Sequence, residues 1–154
     1  KDYFFSNEKE FLKQKEKNVF IETAKVFGFN YGTPKKFVEN NLNEGKDILF
    51  DIDWQGTQKL SDYSSSDLVS IFILPPSTDE LKKRLKRRAE DSDEILENRM
   101  SKAKSEISHW VEYDYVLINE DINKCLENIL VIIQAERSKR SRQKYIFDFV
   151  EKLT

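Results

Sequence analysis

The chain has 154 residues, 38% hydrophobic and 35% charged, which suits one domain, or one domain with a small lobe, under a heavily charged surface. A net charge of −2 gives no global field to attract nucleic acid, so any anion site has to be built locally. The single cysteine, Cys125, excludes an internal disulfide, no apolar run approaches the ~20 residues of a membrane span, and no signal peptide is visible, so a cytoplasmic protein is expected.

Residues 3–5 read as a short aromatic strand. Ser6 or Asn7 can cap a helix carrying Phe11 and Leu12. Residues 18–29 contain a strand-like stretch with one acid, Glu22. Gly28 and Gly32 bracket Asn30 and Tyr31 and predict tight backbone in a hairpin or turn. Thr33 and Pro34 start a helix, Thr as cap and Pro in the first turn, with Phe37, Val38 and Leu42 on its apolar side. Next comes the run Ile48 to Ile52, which predicts a strand buried on both faces of a parallel sheet. Side chains alternate on a strand, so Asp51 and Asp53 share one side at its carboxyl end, where ligands of open α/β sheets bind. The pair could hold a cation, accept from an N–H-rich base, or do both; the plain alternative is a strand end with solvated acids.

A short helix is expected over 57–60, a polar loop over 61–67, and a second buried strand over 68–74, stopped by Pro75 and Pro76. Ser77 to Glu80 fits a capping box opening a helix through Leu81 and Leu85, and Asp91 with Glu94 fits a second. A third strand, 115–118, ends at Asn119, Glu120 and Asp121. The last long helix places Ile122, Cys125, Leu126, Ile129, Leu130 and Ile133 on one face, and a final amphipathic helix spans 145–153. Alternating strands and helices predict an α/β class.

Arg84, Arg87, Arg88 and Arg99 flank an acidic connection at 90–94. The planar guanidinium fork suits phosphate, and two arginine-bearing helix ends joined by a short turn would form a lid over a polyphosphate. The competing reading is a solvated helix laced by i,i+4 ion pairs. His109 reads as a helix-end residue, and Trp54 and Trp110 as packing.

Taken in order, Asp2-Tyr3-Phe4-Phe5, Phe20-Ile21-Glu22, Asn30-Tyr31-Gly32-Thr33, Asp51-Ile52-Asp53-Trp54-Gln55-Gly56, Ile71 through Ser77, Arg84 through Arg99, Tyr113-Asp114-Tyr115, Ile118-Asn119-Glu120-Asp121 and Ser141-Arg142-Gln143 resemble the guanylate kinases, bacterial members above all. The resemblance implies a P-loop nucleoside-monophosphate-kinase-like fold: a three-layer parallel-sheet core at 47–83 and 100–154, a small mixed-β GMP-binding lobe at 1–46, and a helical lid at 84–99. It implies transfer of phosphate from ATP to GMP. Glu22 matches the acid that accepts from guanine N1–H and N2–H, Thr33 the hydroxyl beside the base, and Tyr3 and Tyr31 the hydroxyls on the GMP phosphate. Asp51 and Asp53 match carboxylates near the base and the Mg²⁺-bound phosphates. Arg88 and Arg99 match catalytic lid arginines, with Arg84 a neighbouring phosphate contact and Asn119 and Glu120 the loop beside adenine. Mg²⁺ would be held by nucleotide phosphates without a direct protein ligand, Asp51 or Asp53 reaching it through water. The implied partners are GMP and ATP, not nucleic acid or membrane, with the oligomeric state open.

Two family features are not in this sequence: the Walker A loop, G-x-x-x-x-G-K-[ST], and the Ser/Thr-Arg-x-x-Arg segment. Both normally lie upstream of the position of Lys1, so the chain is expected to be part of a longer polypeptide and to be poorly stable and inactive alone. Ala89 stands where the lid usually has Gly. The rival class is a non-catalytic guanylate-kinase-like module that binds peptide partners; the retained set Glu22, Tyr31, Asp51, Arg88 and Arg99 argues against it.

Overall fold

A computed structural model describes residues 4–26, 29–87, 93–143 and 145–154. The chain forms two compact units, Lys1–Leu68 and Val69–Thr154.

In the first unit, helix α1 (Glu8–Glu16) starts at Asn7, whose side chain accepts the Glu10 N–H at 2.8 Å, as the capping residue suggests. Phe11 is buried and stacks on Phe20, with ring centroids 4.9 Å apart. Strands β1 (Phe20–Val26) and β2 (Phe29–Pro34) form an antiparallel hairpin. Of the hairpin or turn expected here the hairpin forms, with Asn30, Tyr31 and Gly32 in its second strand; Gly28 lies outside the described residues. Gly32 is small for another reason. A Cβ there would stand 2.9 Å from the Phe20 ring and 3.3 Å from Phe11, so the strand lies directly against two aromatic rings.

Helix α2 (Lys35–Asn43) has Pro34, not Thr33, at its N-cap, because Thr33 is still a strand residue, paired with Glu22 and donating its hydroxyl to that carboxylate. Residues 48–52 are not paired into a strand, which corrects the central-strand expectation. They keep the alternation of one. Ile48, Phe50 and Ile52 pack on Ile21, Val38 and Leu60, while Leu49, Asp51 and Asp53 are exposed. One face is satisfied by the hairpin unit's core, and the other meets no partner among the described residues. Residues 4 and 5 are likewise unpaired, both phenylalanines being exposed, so the aromatic strand is also absent there; Tyr3 lies outside the described residues. Helix α3 (Trp54–Ser64) is longer than the helix expected over 57–60 and takes up the first part of the expected loop.

In the second unit, β3 (Ile71–Leu74) and β4 (Tyr115–Ile118) pair in parallel, Ile71 opposite Tyr115 and Leu74 opposite Ile118. β3 is shorter than expected because the residues before it are used otherwise. Leu68 packs into the first unit's core, and the Ser70 N–H and hydroxyl both donate to Asp114 Oδ2 at 2.8 Å. Helices α4 (Thr78–Arg87) and α5 (Asp93–Ser108) and a 3₁₀ turn (His109–Glu112) connect the two strands. α6 (Ile122–Ser138) follows, capped by Asp121, and α7 (Tyr145–Glu151) is the last helix. On α6 the buried residues are Cys125, Ile132 and Glu136, spaced by seven and four, with Ile129 and Ile133 half-buried beside them. Ile122, Leu126 and Leu130, expected on that face, are exposed: the buried stripe is narrower than the apolar one.

Glu136 is the unexpected member of this stripe. Its carboxylate accepts from Tyr115 Oη at 2.5 Å, Lys139 Nζ at 2.6 Å and Arg142 Nε at 3.2 Å, tying α6 to β4 and to the following turn. The Lys139 bond, and next the Tyr115 hydroxyl, hold the Glu136 carboxyl below its ordinary range although burial opposes this. A depressed carboxylate stabilises the fold fully above its unfolded value, about pH 4.3, and loses that contribution as pH falls through the folded value. Glu136→Gln is expected to cost about 2 kcal/mol at neutral pH, discounted for the exposed Lys139 partner, and the difference from wild type is expected to shrink below about pH 4. Urea denaturation of both proteins at pH 7 and pH 3.5 measures it; an equal deficit at both pH values would refute the ionic account.

Candidate active site

The first cluster is built by the hairpin. The register of β1 and β2 shifts between Phe20 and Glu22, a bulge that lets the consecutive residues Ile21 and Glu22 both be buried. Glu22, only 6% exposed, then stands opposite Thr33, and Ala24 opposite Tyr31. Cross-strand and i,i+2 residues share a face, so Glu22, Thr33 and Tyr31 stand together. The Thr33 hydroxyl donates to Glu22 Oε1 at 2.8 Å, which fixes the carboxylate's orientation. Nothing among the described residues donates to Oε2. A buried carboxylate with an unsatisfied oxygen is costly, and a ligand bearing N–H groups would relieve that cost.

Asp51 and Asp53 lie in the same unit, on the exposed face of the extended segment. They differ in their commitments. Asp53 Oδ1 accepts the Gly56 N–H at 2.8 Å, capping α3, and Gly56 is buried against Ile52, where a Cβ would come within 3.1 Å. Asp51 has no partner among the described residues. No group of three or more His, Cys, Asp or Glu side chains able to hold a metal occurs among the described residues.

The second cluster belongs to the other unit, at the carboxyl ends of β3 and β4. Asn119 N–H donates to the Leu74 carbonyl at 2.8 Å, continuing the parallel ladder one residue past β4, and Glu120 N–H turns back to Ile118 at 3.2 Å. Arg84 reaches this loop from α4: its Nη2 donates to the Asn119 carbonyl at 3.1 Å, while Nε donates to Glu80 Oε1 at 2.9 Å. In the sequence Glu80 stands out only as the last residue of a capping box. In the capping-box reading its carboxylate turns back to the helix start; only half of that box forms, Ser77 Oγ accepting the Glu80 N–H at 3.1 Å, and the carboxylate runs forward to Arg84. The i,i+4 spacing of Glu80 and Arg84 was the available signal. Arg99 is half-buried on α5. Arg88 and Asp91 lie outside the described residues. His109 pairs with Glu112 at 2.6 Å at the end of α5, in keeping with a helix-end residue.

The model of the family described as guanylate kinase matches residues 1–136 of the chain. Among curated relatives, the guanylate kinase of Rhizobium johnstonii is 48% identical over 98% of this chain and 69% of its own length. That of Paramagnetospirillum magneticum is 50% identical over 99% of this chain and 72% of its own. Among solved structures, a guanylate kinase from Anaplasma phagocytophilum superposes with a TM-score of 0.81 at 39% identity, covering 99% of this chain and 74% of that one.

Proposed function

Because this chain belongs to the guanylate kinase family and has its mixed α/β fold, we propose that it carries most of an enzyme that phosphorylates GMP to GDP with ATP. The observation that carries this reading is the buried Glu22 carboxylate, oriented by Thr33 and, among the described residues, without a donor at Oε2. Guanine presents two parallel donors, N1–H and N2–H, to such a carboxylate. Adenine presents an acceptor at N1 and is refused.

Around that contact the residues divide the work. Thr33 holds Glu22 and lies beside the base; the Tyr31 hydroxyl, with that of Tyr3, serves the GMP phosphate. Asp51, exposed and without a partner among the described residues, is the carboxylate suited to a Mg²⁺ that keeps its waters and is carried mainly by phosphate. That ion supplies charge neutralisation at the phosphate oxygens when bound. Asp53 shapes the same face by capping α3. A GMP phosphate oxygen attacks the γ-phosphorus of ATP in line; the new P–O bond forms as the bond to the ADP oxygen breaks. Charge spreads over the moving group, and Arg88 and Arg99 neutralise it. Arg84, Asn119 and Glu120 serve the ATP end. The lobe is assigned to residues 1–46, the core to 47–83 and 100–154, the lid to 84–99, and the location to the cytoplasm; none of the described helices is long and apolar enough to cross a membrane.

No G-x-x-x-x-G-K-[ST] loop occurs in the 154 residues, so this chain by itself is expected to bind guanine without turnover. The test is coupled-assay detection of ATP-dependent GDP formation by the whole gene product and by the 154-residue chain, each with GMP and with AMP. The whole product is expected to use GMP and to disfavour AMP by about 10³-fold or more. Turnover by the 154-residue chain would refute its inactivity, and indifference of both proteins to GMP would favour a peptide-binding module.

A further inference from the structure

The bridge from Glu80 through Arg84 to Asn119 is not accounted for by phosphate binding. Arg84 sits half-exposed on the last turns of α4, yet its two observed hydrogen bonds go to protein groups. One partner, Glu80, is a turn earlier on the same helix. The other is a main-chain carbonyl 35 residues away, in the loop that continues the β3–β4 ladder. The peptide group that bears this carbonyl is itself held, its Glu120 N–H donating to the Ile118 carbonyl at 3.2 Å, just after the Asn119 N–H has bonded to Leu74. Ligands of parallel sheets bind outside the carboxyl ends of the strands, so the bridge lies where a ligand of this sheet would be expected.

We propose that Glu80 is a positioning residue for the ATP end of the site: it turns the Arg84 guanidinium onto the Asn119 carbonyl and so couples helix α4 to the loop after β4. Resting on the kinase reading above, this makes Arg84 an orienting strut as well as a cation. Lysine could not replace it, because a single ammonium cannot span a carboxylate and a carbonyl with the fixed geometry of a planar fork. The pair is charged at neutral pH, since the Arg84 hydrogen bond holds the Glu80 carboxyl below its ordinary range, assisted by the charges of Arg84, Lys83 and Arg87. A solvated ion pair would add nothing beyond α4; the Asn119 contact is what gives Glu80 an effect at a distance.

The test uses the whole gene product, with ATP affinity read by equilibrium titration of a fluorescent ATP analogue and GMP turnover assayed separately. Glu80→Gln, which keeps an oxygen acceptor but loses the charge, is expected to weaken ATP binding about fivefold, as loss of one part-exposed charge-assisted hydrogen bond would. GMP affinity and melting temperature are expected to stay unchanged. Against an Arg84→Ala background, Glu80→Gln is expected to add almost nothing, because Glu80 acts through Arg84. Unchanged ATP affinity would overturn the proposal, as would an effect that adds in full to that of Arg84→Ala, or a melting shift with no change in affinity. Wild type that binds ATP but never phosphorylates GMP would instead overturn the kinase reading, whatever Glu80→Gln does to affinity.

Discussion

Glu22→Gln is expected to lower kcat/KM for GMP by about 10³-fold, the range seen when a site built to hydrogen-bond its substrate loses that match. The replacement is nearly isosteric, and its amide oxygen can still accept the Thr33 hydroxyl that now reaches Oε1 at 2.8 Å. What changes is the other position. A carboxylate accepts at both oxygens, whereas the amide turns an –NH₂ toward a guanine edge that itself offers N–H groups. Two donors then face each other at a residue only 6% exposed, where water cannot intervene cheaply. AMP, whose N1 accepts, is not penalised, so selectivity for GMP over AMP is expected to collapse by a similar factor. Thr33→Val removes the orienting bond and the hydroxyl beside the base but leaves the carboxylate, and is expected to cost about tenfold. Steady-state kinetics of the whole gene product, GMP or AMP varied at saturating ATP, with thermal melting as a control for folding, measures all three. Unaltered kcat/KM in Glu22→Gln would remove Glu22 from the guanine site.

Arg99→Ala is expected to lower kcat by about 10³-fold with the KM for GMP little changed, because an arginine that neutralises a transferring phosphoryl group acts mainly in the transition state. α5 gives a reason for its placement. Leu96 is buried three residues earlier, so the face that anchors the helix carries Arg99 at its margin, half-buried rather than solvated. Partial burial raises the electrostatic worth of a fixed charge. Arg99→Lys keeps the charge but loses the fork and is expected to recover part of the rate. A raised KM at unchanged kcat would instead mark Arg99 as a uniform binding group.

Much of the candidate site was legible in the chain because it consists of residues whose chemistry is unusual for their setting. Glu22 is an acid inside a β-prone run, Asp51 and Asp53 close an apolar run, and the arginines cluster around a short acidic turn. Glu80 escaped because a glutamate three residues after a serine at a helix start has a ready local explanation, and the Asn119 carbonyl that gives it meaning is 39 residues away in sequence. Glu136 escaped for a similar reason: on α6 it looks like a solvated charge until Tyr115, Lys139 and Arg142 are brought to it.

Sequence alone determined the α/β class, the family, and the elements whose signals are local: α1 behind its Asn7 cap, the hairpin containing Glu22, α4 behind Ser77, β4 and α6. These depend on periodicity and on hydrogen bonds spanning three or four residues. Tertiary structure decided the rest. Whether residues 48–52 become a strand depends on neighbours that local propensity does not supply, and here only one face is packed. Whether Thr33 caps a helix or orients Glu22 was settled by the cross-strand register, which keeps Thr33 in β2 opposite Glu22 and starts α2 only at Lys35. The division between Asp53, a helix cap, and Asp51, a free carboxylate, likewise followed from where α3 begins. Local composition provides the groups; long-range pairing decides which remain available for chemistry.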